Sequence, residues 1–154
     1  MNLRPIAFAA LAALFCGGNV SASDNPFFGS WKVASSIQAP WYDGNGALPT
    51  VDPELEGKTI TFAKDRASGS RVVACAKPIY TLSTVEPESL FEGGLKNPAK
   101  EAAALGFKSN KIVSMNEGCD SSAGDMELDF PMVNNSTILL GINNCIYTLK
   151  RVAQ

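Results

Sequence analysis

Apolar and polar positions alternate along much of the chain in short runs, and residues that break regular pairing separate those runs. This pattern predicts strands. Over residues 30–38, Trp31, Val33 and Ser35 share one face of a first strand. Residues 58–64 and 71–76 read as two more, joined by a hairpin-like connection, Asp65-Arg66-Ala67-Ser68-Gly69-Ser70, and residues 79–85 follow Pro78 as another. A strand over residues 111–115 precedes three apolar-rich runs, 126–133, 136–142 and 145–152, which are divided by Asn134-Asn135 and Asn143-Asn144. Asparagine tolerates the positive φ of two-residue hairpin turns, so the last three runs form an expected antiparallel meander.

One segment has helical signals instead. Asn97 is a good N-cap, Pro98 suits the first helical position and Gly106 stands where a left-handed stop is wanted. The helix between them is short and needs packing to hold it. Residues 39–57 are rich in proline, glycine and aspartate and form the longest irregular stretch. Seven or eight short strands with one small helix predict an all-β domain: a small antiparallel β-barrel or strongly curved sheet with one short α-helix. Closure also removes exposed sheet edges.

The start of the chain follows a different logic. Met1-Asn2-Leu3-Arg4-Pro5 carries a positive charge, residues 6–15 are apolar, and Val20-Ser21-Ala22 supplies the small residues an export peptidase requires. Residues 1–22 are therefore expected to be a cleaved signal peptide, with residues 23–154 a single domain, periplasmic or secreted. The apolar run is about ten residues against roughly 20 for a spanning helix, so no transmembrane anchor is expected. Acylation of Cys16 is the competing reading, and bulky Phe15 before it argues against that signal.

Removing the leader also takes Cys16, leaving Cys75, Cys119 and Cys145. An oxidising compartment then implies one disulfide and one spare thiol. Cys75 with Cys119 is the preferred pair, because both lie in or beside strand-like runs and their bond closes a long loop; Cys145 is the alternative partner for either. The chain holds 13 Lys and Arg against 15 Asp and Glu, so it lacks the basic footprint of a nucleic-acid binder. A basic partner protein suits it better.

The candidate chemistry is sparse. No histidine is present, which removes Ser-His-Asp and Cys-His arrangements, and with no Cys-x-x-Cys spacing no metal site is expected. No cofactor motif occurs. Asp52, Glu54 and Glu56 lie close together, as do Glu86 and Glu88, and a hydrolase needs only two carboxyls, but loop acids are ordinarily solvated. Asp43-Gly44-Asn45-Gly46 begins like a calcium loop with Glu54 at its twelfth position, but Ala47, Leu48 and Pro49 occupy the middle, where ligands and glycine are needed. Trp41 and Tyr42, set among Pro40 and glycines, are the candidate ligand- or partner-binding residues. Phe91 and Leu95, near Gly93-Gly94, are placed either to cover a barrel mouth or to bury the approach to the helix.

Phe28-Gly29-Ser30-Trp31-Lys32-Val33 resembles the Gly-x-Trp opening of lipocalins and related calycin barrels. The resemblance covers only the two ends of the domain. In that family the tryptophan closes one end of the barrel and a late basic residue packs across it, a position that Arg151 in Tyr147-Thr148-Leu149-Lys150-Arg151 would occupy. Cation stacking on indole makes the pairing of Trp31 and Arg151 physically reasonable. The resemblance implies a non-catalytic binding protein that holds a small apolar ligand. The alternative is an envelope interaction module, such as an inhibitor of a basic lysozyme, working through the acidic balance and the long loop.

Overall fold

The computed structural model describes residues 25–121 and 124–153, so the expected signal peptide and Cys16 lie outside the described residues. Eight strands make one antiparallel sheet: β1 (Gly29–Gln38), β2 (Thr59–Ala63), β3 (Arg66–Ser68), β4 (Ile79–Val85), β5 (Ile112–Ser121), β6 (Gly124–Asn134), β7 (Thr137–Ile142) and β8 (Cys145–Arg151). Their order across the sheet is β3-β2-β1-β8-β7-β6-β5-β4, and the sheet curls strongly into a half-barrel. First and last strands are neighbours, with Trp31 opposite Arg151 and Val33 opposite Leu149. The expected all-β architecture is correct.

The curl brings the two outer strands, β3 and β4, toward each other. The Tyr80 hydroxyl of β4 donates to the main-chain oxygen of Arg66 in β3 at 3.2 Å. A disulfide joins Cys75, whose backbone bridges to Ala67 of β3, with Cys119 of β5 across a Cα–Cα distance of 5.8 Å. Cys145 is a buried free thiol. The preferred pairing is therefore the one that forms, and it ties the two sides of the half-barrel.

Both faces of the sheet are covered. The inner face buries Trp31, Ile60, Phe62, Met115, Phe130, Ile138, Leu140, Tyr147 and Leu149, with Phe27, Leu55 and Val73 folded in from connecting segments. A second core lies on the outer face, where Leu139 and Ile146 meet Ala39, Leu90, Leu95, Ala102, Phe107 and Ile112. Two-sided cover explains why Thr137, Ile138, Leu139 and Leu140 are buried in succession, where a half-solvated strand would alternate.

Local chemistry overrides the sequence pattern at several places. Residues 71–76 form a turn instead of a strand, because the Ser70 carbonyl accepts from Val73 N and Ala74 N while its hydroxyl accepts from Val72 N. Strand β3 forms in the connection that precedes it, where Ala67 and Cys75 exchange two backbone bonds of 2.9 Å. Gly69 between them has φ +104°, and a Cβ there would lie 1.9 Å from the Thr59 carbonyl oxygen. Only glycine fits. In β1 a bulge between Val33 and Ser35 moves Ser35 off the face shared by Trp31 and Val33.

The helix α1 spans Pro98–Ala104 with proline at its first turn, and Gly106 follows at φ +99°. Asn97 precedes it without a side-chain cap bond, so Pro98 and the packing of Ala102 carry the start. A further helical segment, 3₁₀ turns within Pro87–Gly93 kinked at the non-helical Leu90, Phe91 and Glu92, was not predicted. Asn143 and Asn144 take the positive φ expected of them, 53° and 56°. Asn134 and Asn135 do not: the Asn134 side chain accepts from the Ser136 amide and hydroxyl, which closes that turn without left-handed residues.

Candidate functional site

Two constellations stand out, one at the end of the half-barrel and one in a cleft on its outer face. At the end, Trp31 is fully buried and its indole Nε1 donates to the Phe27 carbonyl at 2.7 Å. The Arg151 guanidinium lies 4.0 Å from the Trp31 ring centre. It also donates to the carbonyls of Asn135 at 2.8 Å, Phe28 at 3.0 Å and Pro26. Partial burial lowers the arginine pKa. This cluster ties three segments together and is structural in character.

The cleft is built from residues distant in sequence. A volume of about 320 Å³ opens between residues 91–92 and the outer side of β6 and β7, lined by Trp41, Phe91, Glu92, Glu127, Asp129, Gly141 and Asn144 among others. Strand alternation sends Leu128 and Phe130 to the inner core, so Glu127 and Asp129 project outward into the cleft. Asp129 accepts a hydrogen bond from Asn116 Nδ2 at 3.0 Å, which fixes its carboxylate. The lining contains no lysine or arginine.

The aromatic wall is held by unusual backbone. Phe91 and Glu92 both adopt left-handed conformations, φ 51° and 58°, ahead of Gly93 at φ 77°. Such a conformation in a bulky residue costs of order 1–3 kcal/mol and persists only where surroundings fix it. Here the Phe91 ring packs against Trp41 with centroids 5.2 Å apart. Both rings rest on Gly141, where an added Cβ would come within 2.7 Å of Phe91 and 3.1 Å of Trp41. Trp41 is anchored in turn, its Nε1 donating to Asn144 Oδ1 at 3.1 Å, while Asn144 Nδ2 donates to the Ala47 carbonyl at 2.8 Å. The left-handed Asn144 thus sets both the β7–β8 hairpin and the ring.

Apolar groups surround that turn. Leu48 is 73 % exposed and Val51 41 %, on the irregular loop whose Thr50 amide donates to the Asn143 carbonyl, and Ile37 is 52 % exposed at the end of β1. A cleft of two rings and three carboxylates, with exposed aliphatic side chains at the same end, suits a cationic group carried on a larger partner.

The structure separates the two residues proposed for binding. Trp41 lines the cleft, whereas Tyr42 does not and instead closes a turn through its amide to the Ala39 carbonyl at 3.1 Å. Phe91 and Leu95 also part company, Phe91 joining the cleft and Leu95 the outer core, and neither covers a barrel mouth. Asp52 serves its own turn, its carboxylate accepting from the Glu54 amide at 2.8 Å while its amide donates to the Tyr147 hydroxyl at 2.7 Å. Glu56, Glu86 and Glu88 are exposed. Asp43 accepts from the Asn45 amide at 3.0 Å, a bond that lowers its pKa, and among the described residues no three His, Cys, Asp or Glu side chains are grouped to hold a metal ion.

The sequence reading singled out neither Glu127 nor Asp129 of the cleft, nor a third acid on the opposite face of the sheet. Glu117 of β5 is fully buried on the inner face between Met115 and Cys119, opposite Tyr80 on β4 and Leu128 on β6. Neither carboxylate oxygen has a hydrogen-bond partner, and burial pushes the carboxyl up to about 8. Its signal was available as one charge at alternate spacing between Met115 and Cys119, masked because the predicted strand ended at Met115. Compared with known proteins, the chain matches no family model, no curated protein and no solved structure.

Proposed function

We propose that this chain is an exported, non-catalytic interaction module that captures a cationic group of a basic envelope protein in the Trp41–Phe91 cleft. The observation that carries the reading is the pairing of an anchored aromatic wall with Glu92, Glu127 and Asp129 in a lining free of basic residues. A lysine or arginine side chain entering there gains a ring face and carboxylate acceptors together. The exposed Leu48, Val51 and Ile37 supply apolar contact beside it. A lysozyme-type enzyme is the partner class that fits an acidic module outside the cytoplasm.

The lipocalin-like reading, with a small apolar ligand inside the barrel, draws support from the curled sheet and from Trp31 under Arg151. It has less support at the interior, where Phe27, Trp31, Phe62, Phe130 and Tyr147 are all less than 2 % exposed and fill the inner face. The test is titration of the protein, lacking residues 1–22, with a c-type lysozyme at low and moderate salt, alongside a fluorescent apolar probe. Salt-sensitive lysozyme binding that Trp41→Ala and the pair Glu127→Gln, Asp129→Asn each weaken at least tenfold is expected. Binding that ignores both changes, or apolar-probe binding alone, overturns the proposal.

A further inference from the structure

A charged side chain without a partner in a protein interior calls for a physical reason, since its ionised form forgoes the hydration it has in water. Glu117 is fully buried, and both its oxygens lack a partner. Its place in the fold supplies the reason. It faces the seam where β3 and β4 approach without pairing, beside the two links that cross it: the Tyr80 hydroxyl on the Arg66 carbonyl and the Cys75–Cys119 disulfide.

The groups that face Glu117 are few. From β4 comes Tyr80, whose phenol is raised by burial first and then by the charges of Glu117 and Asp65. From β6 comes Leu128, which does not ionise, and on β5 itself the neighbours on that face are Met115 and the disulfide-bonded Cys119. Phe28 and Phe62 close over Tyr80 at ring distances of 5.4 and 6.2 Å, and Asn25 Nδ2 lies 3.7 Å from Met115 Sδ. Burial is the cause that raises Glu117, and among the described residues no cation offsets it.

We propose that Glu117 is a proton-operated latch on the β3–β4 seam. With its proton on, the uncharged carboxyl is tolerated among apolar neighbours and the seam stays shut. When the proton passes to solvent, the carboxylate requires water, and the nearest route to it is displacement of Tyr80 and loss of its single bond to Arg66. The disulfide lies on the same face two residues away and holds β3 to β5, so the seam opens on the β4 side without unfolding the sheet. The inner aromatic face at Phe62 and Phe130 then becomes accessible. This device is independent of the outer cleft, because β5 presents Glu117 to the opposite face of the sheet.

Amide hydrogen exchange of the oxidised protein from pH 5 to 8, at several low urea concentrations, tests it against Glu117→Gln. Backbone amides of residues 79–85 are expected to open about tenfold more per pH unit in the wild type than in the variant, through an event nearly insensitive to urea. Residues 137–151 serve as the reference for global unfolding. Exchange of residues 79–85 with the same urea dependence as residues 137–151, or a wild-type to variant ratio that stays constant with pH, overturns the latch. Should Glu117→Gln fail to fold, carbon-13 detection of the Glu117 carboxyl in the wild type decides: a midpoint near the ordinary glutamate value overturns the proposal, and one several pH units higher supports it.

Discussion

The Arg151 guanidinium sits 4.0 Å from the centre of the Trp31 ring and simultaneously donates to three main-chain carbonyls, those of Pro26, Phe28 and Asn135. It joins the first strand, the segment before it and the β6–β7 turn through one side chain. Lysine can stack but offers a point charge in place of a planar fork, so it cannot reach all three carbonyls. Arg151→Lys is expected to lower stability by about 1–2 kcal/mol and Arg151→Met by about 2–4 kcal/mol. Urea unfolding followed by tryptophan fluorescence measures both; a lysine variant as stable as wild type would show that the carbonyl contacts contribute little.

The Cys75–Cys119 bond spans 44 residues and ties the two sides of the half-barrel. On the chain-entropy account a loop of that size is worth about 4 kcal/mol, lost in the double variant Cys75→Ala, Cys119→Ala. Thiol titration of the oxidised native protein lacking residues 1–22, and so lacking Cys16, should find nothing reactive, and denaturation should release a single thiol from Cys145, which is buried in β8. Two or more thiols per denatured chain would contradict the assigned pairing.

The sequence made the strands of β1, β4 and the β6–β8 meander legible because their turn residues and alternating faces agree. The Pro98 helix and the Cys75–Cys119 pair were legible for similar reasons of local chemistry and loop closure. It hid β3, which pairs with β2 inside the residues read as a connection and is joined on its other side by the Cys75 backbone at Ala67, a contact no local pattern encodes. It also hid the outer core: Leu139 and Ile146 look like ordinary members of apolar runs, and nothing local says that residues 90–107 will cover them. The site was half visible. Trp41 could be singled out as an aromatic in a loop, but Glu127, Asp129 and Phe91 join it only through strand register and a left-handed turn at Phe91 and Glu92. The lone glycine in β7, Gly141, was the one sequence mark of that close approach.

Glu117 gives the fold a pH dependence whose sign is set by its raised pKa. The folded state holds this proton up to about pH 8, while an unfolded glutamate releases it near the ordinary value of 4.5. Folding therefore binds a proton between those limits, and stability is greatest below the lower one, declines as pH rises and levels off above the upper one. The slope is about 1.4 kcal/mol per pH unit and the full span about 4–5 kcal/mol. Urea unfolding at pH 5, 7 and 9 should show this fall in the wild type and lose that component in Glu117→Gln, whose amide does not titrate. Equal slopes for the two proteins would mean that the carboxyl ionises in the folded state as freely as in water.

The cleft can also be altered at the two lining positions that hold the rings in place, leaving the rings and the carboxylates themselves unchanged. A methyl at Gly141 would meet the Phe91 ring at 2.7 Å and the Trp41 ring at 3.1 Å, so Gly141→Ala must push the rings outward. Overpacking of this kind costs about 1–3 kcal/mol, and the left-handed Phe91 leaves little room for adjustment. Asn144→Gly acts from the other side: glycine accepts the φ of 56° readily but removes the bond to Trp41 Nε1 and the bond to the Ala47 carbonyl. Both variants should weaken lysozyme binding severalfold, with Gly141→Ala losing stability and Asn144→Gly losing mainly the orientation of Trp41, seen as greater quenching of its fluorescence by acrylamide. A Trp41→Phe background isolates that signal by comparison, since the only other tryptophan, Trp31, is fully buried. Undiminished binding in both variants would place the partner's contact surface away from these rings.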